Sequence, residues 1–182
     1  MKKLNIFILI IAIGLIGCER DDICAEATET TPTLIINFND NETLDDPKNV
    51  RQLLVVALDQ SLTPIATIGS ISTTNAIALP LHVQDENETT PITTRYALIQ
   101  DADFDDDGDD TTFSNTDIIE ITYTTEFIYV SRACGYKSIF NLESTFNTAF
   151  NIIDDGDLWI TNFAIQNFTI DNTNETHILI YH

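Results

Sequence analysis

An all-β fold is the class this sequence predicts: a single β-sandwich of roughly eight to ten strands, immunoglobulin-like or jelly-roll-like, with a small barrel as the alternative. Three observations point to it. Beyond residue 25 no apolar stripe of 3.6-residue period is sustained, so amphipathic helices are not expected. Short runs rich in Ile, Val, Thr, Tyr and Phe recur at intervals of roughly 8–15 residues, the spacing of strands in a sandwich. Clusters of Asn, Asp, Gly and Pro punctuate those runs as turns.

The elements follow in chain order. Residues 25–31 are polar and Thr-rich, a short lead-in. The run 33–38 alternates, setting Leu34, Ile36 and Phe38 on one face, and Asn39-Asp40-Asn41 ends it as a turn. Val50–Leu58 is apolar on both sides, with Leu53, Val55 and Ala57 opposed to Leu54, Val56 and Leu58. Two-sided burial of that kind marks a central strand. Shorter strands are expected at 65–68 and 76–81, with a turn across 69–75 between them. After a solvated loop at 85–90, residues 93–100 resume a strand with Tyr96 and Leu98 facing one way. The run 117–123 points Ile119, Ile121 and Tyr123 inward and Glu120 and Thr122 outward, and 127–130 continues it or pairs with it.

Within 131–136, Gly135 permits a tight backbone turn beside Cys134. Strands are expected at 138–142 and 146–153, the second with Phe146, Phe150 and Ile152 on one face. Asp155-Gly156 is the strongest hairpin signal in the chain. It leads into 158–170, where the apolar face switches around Asn162, as a bulge or a change of sheet requires. A last strand is expected at 176–181.

The N-terminus reads as an address. Lys2 and Lys3 precede an apolar run, 4–16, interrupted only by Asn5 and Gly14. That run is too short for a spanning helix, which needs roughly 20 apolar residues, and its flanks are those of a secretory h-region. It closes on Leu15-Ile16-Gly17-Cys18, which resembles the lipobox at which bacterial lipoproteins are lipidated and cleaved; a plain signal peptide with an incidental cysteine is the alternative. The resemblance implies a signal peptide at 1–17, a lipid anchor on Cys18 with a short tether to residue 32, and a sandwich domain at 33–182. No later stretch is suited to crossing a bilayer, so acyl chains are the expected attachment. Two or three of them hold stably where one does not.

From Cys18 the chain is 165 residues, enough for one domain with a real core. Its net charge of −21 becomes −23 without Lys2 and Lys3. Such a surface repels nucleic acid and anionic lipid, which excludes both as partners, and makes divalent cations its natural counter-ions. With Cys18 carrying lipid, Cys24 and Cys134 remain as an even pair in an oxidising compartment. A disulfide between them is expected, two buried free thiols being the alternative. Cys24 lies six residues from Cys18, a reach of roughly 20 Å when extended, so the domain is expected to sit close to the membrane.

One segment is site-like. Residues 101–110, DADFDDDGDD, carry seven carboxylates, and Asp103, Asp105, Asp107 and Gly108 match the opening of a calcium loop. Alternate side chains of such a loop converge on one ion while Gly turns the chain around it. The twelfth position, where a bidentate Glu belongs, is Ser114, and the flanks read as strands. Asp109, or Asp117 and Glu120 further on, would have to complete the shell. Two readings therefore stand, a structural Ca²⁺ site on Asp103, Asp105, Asp107 and Asp109, or a solvated acidic hairpin loop.

No Gly-rich phosphate loop, nucleophile elbow or HExxH is present, and His82, His177 and His182 follow no metal-ligand spacing. With no constellation of nucleophile, base and orienting group, catalysis is not expected. Trp159, Phe163 and Tyr181 fit a sugar-stacking platform, or core and cross-strand pairs.

Two stretches carry a resemblance, Cys18-Glu19-Arg20-Asp21-Asp22-Ile23-Cys24 and Val130-Ser131-Arg132-Ala133-Cys134-Gly135-Tyr136-Lys137, with Thr31-Pro32-Thr33-Leu34-Ile35-Ile36 and Phe140-Asn141-Leu142 beside them. On these the chain resembles a family of uncharacterised lipoproteins of the Bacteroidetes, which has no established activity. The resemblance implies the pairing of Cys24 with Cys134 and carries no catalytic residue over. Glu19-Arg20-Asp21-Asp22 also looks like the acidic signal that sends lipoproteins of that group to the cell surface. The expected function is thus a non-enzymatic binding or structural module of the cell envelope, anchored in the outer membrane and facing the surface or the periplasm. A surface carbohydrate-binding or adhesion module is the alternative, and a hydrolase with a close carboxylate pair the remaining one.

Overall fold

The computed structural model describes residues 24, 31–102, 114–143 and 146–182. The elements are β1 (Leu34–Asn39), β2 (Val50–Leu58), β3 (Pro64–Thr74), β4 (Ala76–Leu79), β5 (Ile92–Gln100), β6 (Asn115–Ser131), β7 (Gly135–Leu142), a helical turn α1 (Phe146–Ala149), β8 (Phe150–Ile153), β9 (Asn162–Ile165), β10 (Thr169–Ile170) and β11 (Ile178–Tyr181). They form two sheets. The smaller has the order β4-β1-β11-β9, and the larger β10-β7-β6-β5-β2-β3 with β8 lying along β6. The all-β sandwich class is borne out.

Alternation in the sequence becomes the core between the sheets. The smaller sheet contributes Leu34, Ile36 and Phe38 from β1 and Ile178 and Ile180 from β11, all with no exposure. Opposite them stand Leu53 and Val55 of β2, Tyr96 and Leu98 of β5, Ile119, Ile121 and Tyr123 of β6 and Phe140 of β7. Full burial of each such side chain contributes about 1.5–3 kcal/mol. β2 is central, as its two-sided pattern requires, pairing β3 on one edge and β5 on the other. The two buried tyrosines tie the crossing chain to the sheet: Tyr96 Oη donates to the carbonyl of Pro80, and Tyr123 Oη to that of His82 at 3.0 Å.

Three expectations need correction. Residues 69–75 are mostly strand, not a turn, because Gly69 (φ +73°) sits in a bulge: Leu53 pairs Ser72 and Val55 pairs Ile68, leaving Leu54 opposite three residues. The strand expected over 146–153 begins with α1 instead. Glu143 N–H still donates to Thr122 O while Phe150 already pairs with Ile121, the next residue along β6. The intervening residues must leave the ladder and return, and a helical turn takes them up with little advance. Asp155-Gly156 makes a turn with Gly156 at φ +91°, but it links β8 of one sheet to β9 of the other, so no hairpin forms. The change of sheet foreseen near Asn162 is found: the chain leaves the larger sheet after β8, enters the smaller one at Asn162 with β9, and returns to the larger one at β10.

His177 joins the smaller sheet internally. Its Nδ1 accepts from Ile35 N–H at 3.0 Å, and its own N–H donates to Ile35 O at 3.0 Å. The ring has no exposure, and its Nε2 has no hydrogen-bond partner among the described residues. Burial lowers the pKa of His177 and also that of His182. Below the ordinary histidine value of about 6.5 the unfolded chain therefore binds protons that the fold refuses. Stability is expected to fall as pH drops below about 6.5, at up to about 1.4 kcal/mol per pH unit for each histidine, levelling once the folded groups titrate. Urea midpoints at pH 7.5 and 5.5 check this, and His177→Gln should flatten the slope. Asp40 acts in a lower window. Its carboxyl is held at about 2 by the hydrogen bond from Lys48 first, then by the N–H groups of Glu42 and Thr43, so its contribution is lost only as pH falls below its ordinary value of 3.8.

Candidate functional site

The feature that gathers most of the sequence signals is the far end of the β6–β7 hairpin. β6 outruns β5, whose first residue, Ile92, pairs with Tyr123. From Thr124 to Ser131 β6 is paired with β7 on one side, so the hairpin projects past β5. Gln84 holds the base of the other edge, its side-chain oxygen accepting from Thr125 N–H at 3.1 Å. At the tip, Cys134 N–H donates to Ser131 Oγ at 3.1 Å and Gly135 adopts φ +70°, a conformation that glycine enters without a Cβ clash.

Cys24 and Cys134 form the expected disulfide there, with Cα atoms 4.8 Å apart. Further along, Ser138 N–H donates to Thr31 Oγ1 at 3.3 Å, so both described parts of the tether lie against this hairpin. Tyr129 and Tyr136 are cross-strand partners with ring centroids 5.4 Å apart in an edge-on arrangement. They stay 54% and 65% exposed, and Ile128 next to them is exposed as well.

A second feature is an open cleft of about 800 Å³ beside the start of β5, lined by Asp59, Ile65, His82, Thr93, Thr94 and Arg95 among others. Its polar groups are largely engaged. Thr94 Oγ1 shares a hydrogen with Tyr123 Oη at 2.8 Å, and Thr93 Oγ1 with Thr122 Oγ1 at 2.8 Å. Arg95 Nε pairs with Glu120 at 2.7 Å. The hydrogen bond from Asn151 and then Arg95 holds the Glu120 carboxyl below its ordinary range.

The residues singled out from the sequence fall as follows. Cys18 and the acidic positions Asp103, Asp105, Asp107 and Asp109 lie outside the described residues, as does Gly108. Asp101, at the edge of that loop, pairs with Arg51 at 2.5 Å. Asp117 and Glu120, considered as further ligands for Ca²⁺, are committed elsewhere. Asp117 is fully buried, accepting from Ile160 N–H at 2.7 Å and Trp159 N–H at 3.4 Å, and burial outweighs those bonds to raise its pKa. Among the described residues, no group of three His, Cys, Asp or Glu side chains is placed to hold a metal ion.

Of the two readings of the aromatics, core packing is the one seen at Trp159 and Phe163. Trp159 is a core residue, packed on Phe38 and His182 at 6.1 and 5.6 Å, its Nε1–H donating to Leu98 O at 3.2 Å. Phe163 packs on Phe150 at 4.7 Å. Among the described residues the exposed aromatics are instead Tyr129, Tyr136 and Phe168, and alternation along β6 and β7 left the two tyrosines undistinguished from ordinary cross-strand pairs.

No curated protein and no solved structure matches the chain. A family model does, described as a family of unknown function (DUF6452), and it matches residues 52–182. The matched part runs from β2 through the tip hairpin to β11 and is the larger share of the sequence, so the chain belongs to this family of unknown function, DUF6452.

Proposed function

We propose that this protein is a lipid-anchored, non-enzymatic binding or structural module of the bacterial cell envelope, held in the outer membrane of a member of the Bacteroidetes through Cys18. The observation that carries the reading is the disulfide between Cys24 and Cys134, six residues beyond the cysteine of Leu15-Ile16-Gly17-Cys18. A disulfide of this kind belongs to an exported protein. Next to an apolar leader ending in a lipobox-like sequence, it is the arrangement of a domain delivered across the inner membrane and kept at a bilayer. Acylation at Cys18 is the attachment this reading uses; among the described residues no helix is long and apolar enough to cross a membrane.

The test is labelling with a radioactive or alkynyl fatty acid in the native host. Wild-type protein should take up label and fractionate with membranes, and Cys18→Ser should lose both. Unlabelled wild-type protein in the soluble periplasmic fraction would sink the reading. Protease shaving of intact cells then separates the two faces: cleavage puts the domain on the surface, as Glu19-Arg20-Asp21-Asp22 suggests, and protection puts it in the periplasm.

A further inference from the structure

The charge and apolar distribution around the hairpin tip differs from the rest of the chain. Between Glu126 and Glu143 the hairpin carries Arg132 and Lys137 and no acid, within a chain of net charge −21. Lys48, Arg51 and Arg95 are each ion-paired on other parts of the sandwich. The hairpin's exposed side chains include Ile128, Tyr129 and Tyr136, with Arg132 exposed in the turn between the strands. Tyrosine, with an apolar ring and a polar tip, is the residue that membrane–water interfaces favour. Arginine reaches past such rings to headgroup oxygens, whereas Lys137 Nζ donates to Asp171 O at 3.2 Å.

The tether fixes where this end points. Through Cys134, Cys24 is bonded to the tip itself, and it lies only six positions from Cys18, a reach of roughly 20 Å. An anchor on Cys18 therefore keeps the tip within roughly 20 Å of the bilayer. We propose that the tip of the β6–β7 hairpin is a membrane-contact site, in which Tyr129 and Tyr136 seat in the headgroup layer of the same bilayer that holds the anchor, with Arg132 on lipid phosphates. The inference rests on the anchor reading above and adds an orientation to it: β6 stands with Ser131 at the membrane and Asn115 away from it. The occupant is a zwitterionic lipid surface, because the acidic bulk of the domain opposes an anionic one.

The sequence supplies an internal control. Its one tryptophan, Trp159, is bonded to Asp117, fourteen residues up β6 from Ser131, or roughly 45 Å of strand. Full-length lipidated protein is reconstituted in phosphatidylcholine–phosphatidylethanolamine vesicles containing a lipid with a nitroxide at headgroup depth. Tyr136→Trp and Tyr129→Trp, both at exposed positions, are compared with wild type. The proposal expects a blue shift and loss of the new emission at each position, with Trp159 emission retained. Full emission from both introduced tryptophans, in protein that floats with the vesicles, overturns the hairpin contact and leaves the anchor standing. Protein that does not float overturns the anchor reading and this one with it. A tip-to-tip crosslink between two copies, with unquenched emission, would replace the membrane by a second chain as the occupant.

Discussion

Replacing Cys24 and Cys134 together by alanine should cost about 4–5 kcal/mol of stability. The bond spans 110 residues of sequence, and closing a loop of that size removes more entropy from the unfolded chain than closing a short one. Little of the loss should come from the folded side. β7 stays paired with β6 over seven residues or more, and Ile139 and Phe140 remain buried without the bond. The effect should therefore appear in urea as a large drop in midpoint with native secondary structure unchanged, and a reduced wild type should match the double variant. A shift below about 1 kcal/mol would show that the unfolded chain is already restricted near the tether. At the reduced hairpin the tether would lose its covalent tie to the domain, keeping the bond from Ser138 N–H to Thr31 Oγ1, so proteolysis between Cys24 and Thr31 should accelerate.

Much of the architecture was legible because period-2 alternation is a direct consequence of strand geometry. Leu34, Ile36 and Phe38, and again Ile119, Ile121 and Tyr123, are buried where alternation places them. What alternation does not encode is which strand pairs with which. Asp155-Gly156 has the chemistry of a tight turn whether the chain folds back on its own strand or crosses to the other sheet, and here it crosses. Gly69 looks like a turn residue because positive φ serves turns and bulges alike. α1 answers to a register demand set by Thr122 and Ile121 on β6, and nothing within residues 146–149 announces it. The site was legible in a similar proportion. Cysteine counting found the disulfide, whereas the exposure of Tyr129 and Tyr136 depends on β5 ending at Ile92, a length mismatch visible only once the strands are paired.

Trp159→Ala should be among the most damaging single substitutions, at about 3–5 kcal/mol, or a fall in Tm of roughly 6–20 °C. The ring fills space between Phe38 and His182, and no neighbour is free to collapse into it, because Phe38 is fixed in β1 and paired through Ile36 and Asn37 to β11. Truncation also removes the hydrogen bond from the indole N–H to Leu98 O, a loss of about 1 kcal/mol. Trp159→Phe keeps most of the volume and loses the N–H, so it should lie between the wild type and alanine. Tyr136→Ala, at 65% exposure, should change stability by no more than about 0.5 kcal/mol. The pair separates two roles that aromatic residues share in a sequence. An aromatic that matters for folding shows itself in the melting temperature, and one that meets a surface shows itself only when that surface is present. If Trp159→Ala melted like the wild type, the core assignment would fail and an exposed platform at β9 would return as the better account.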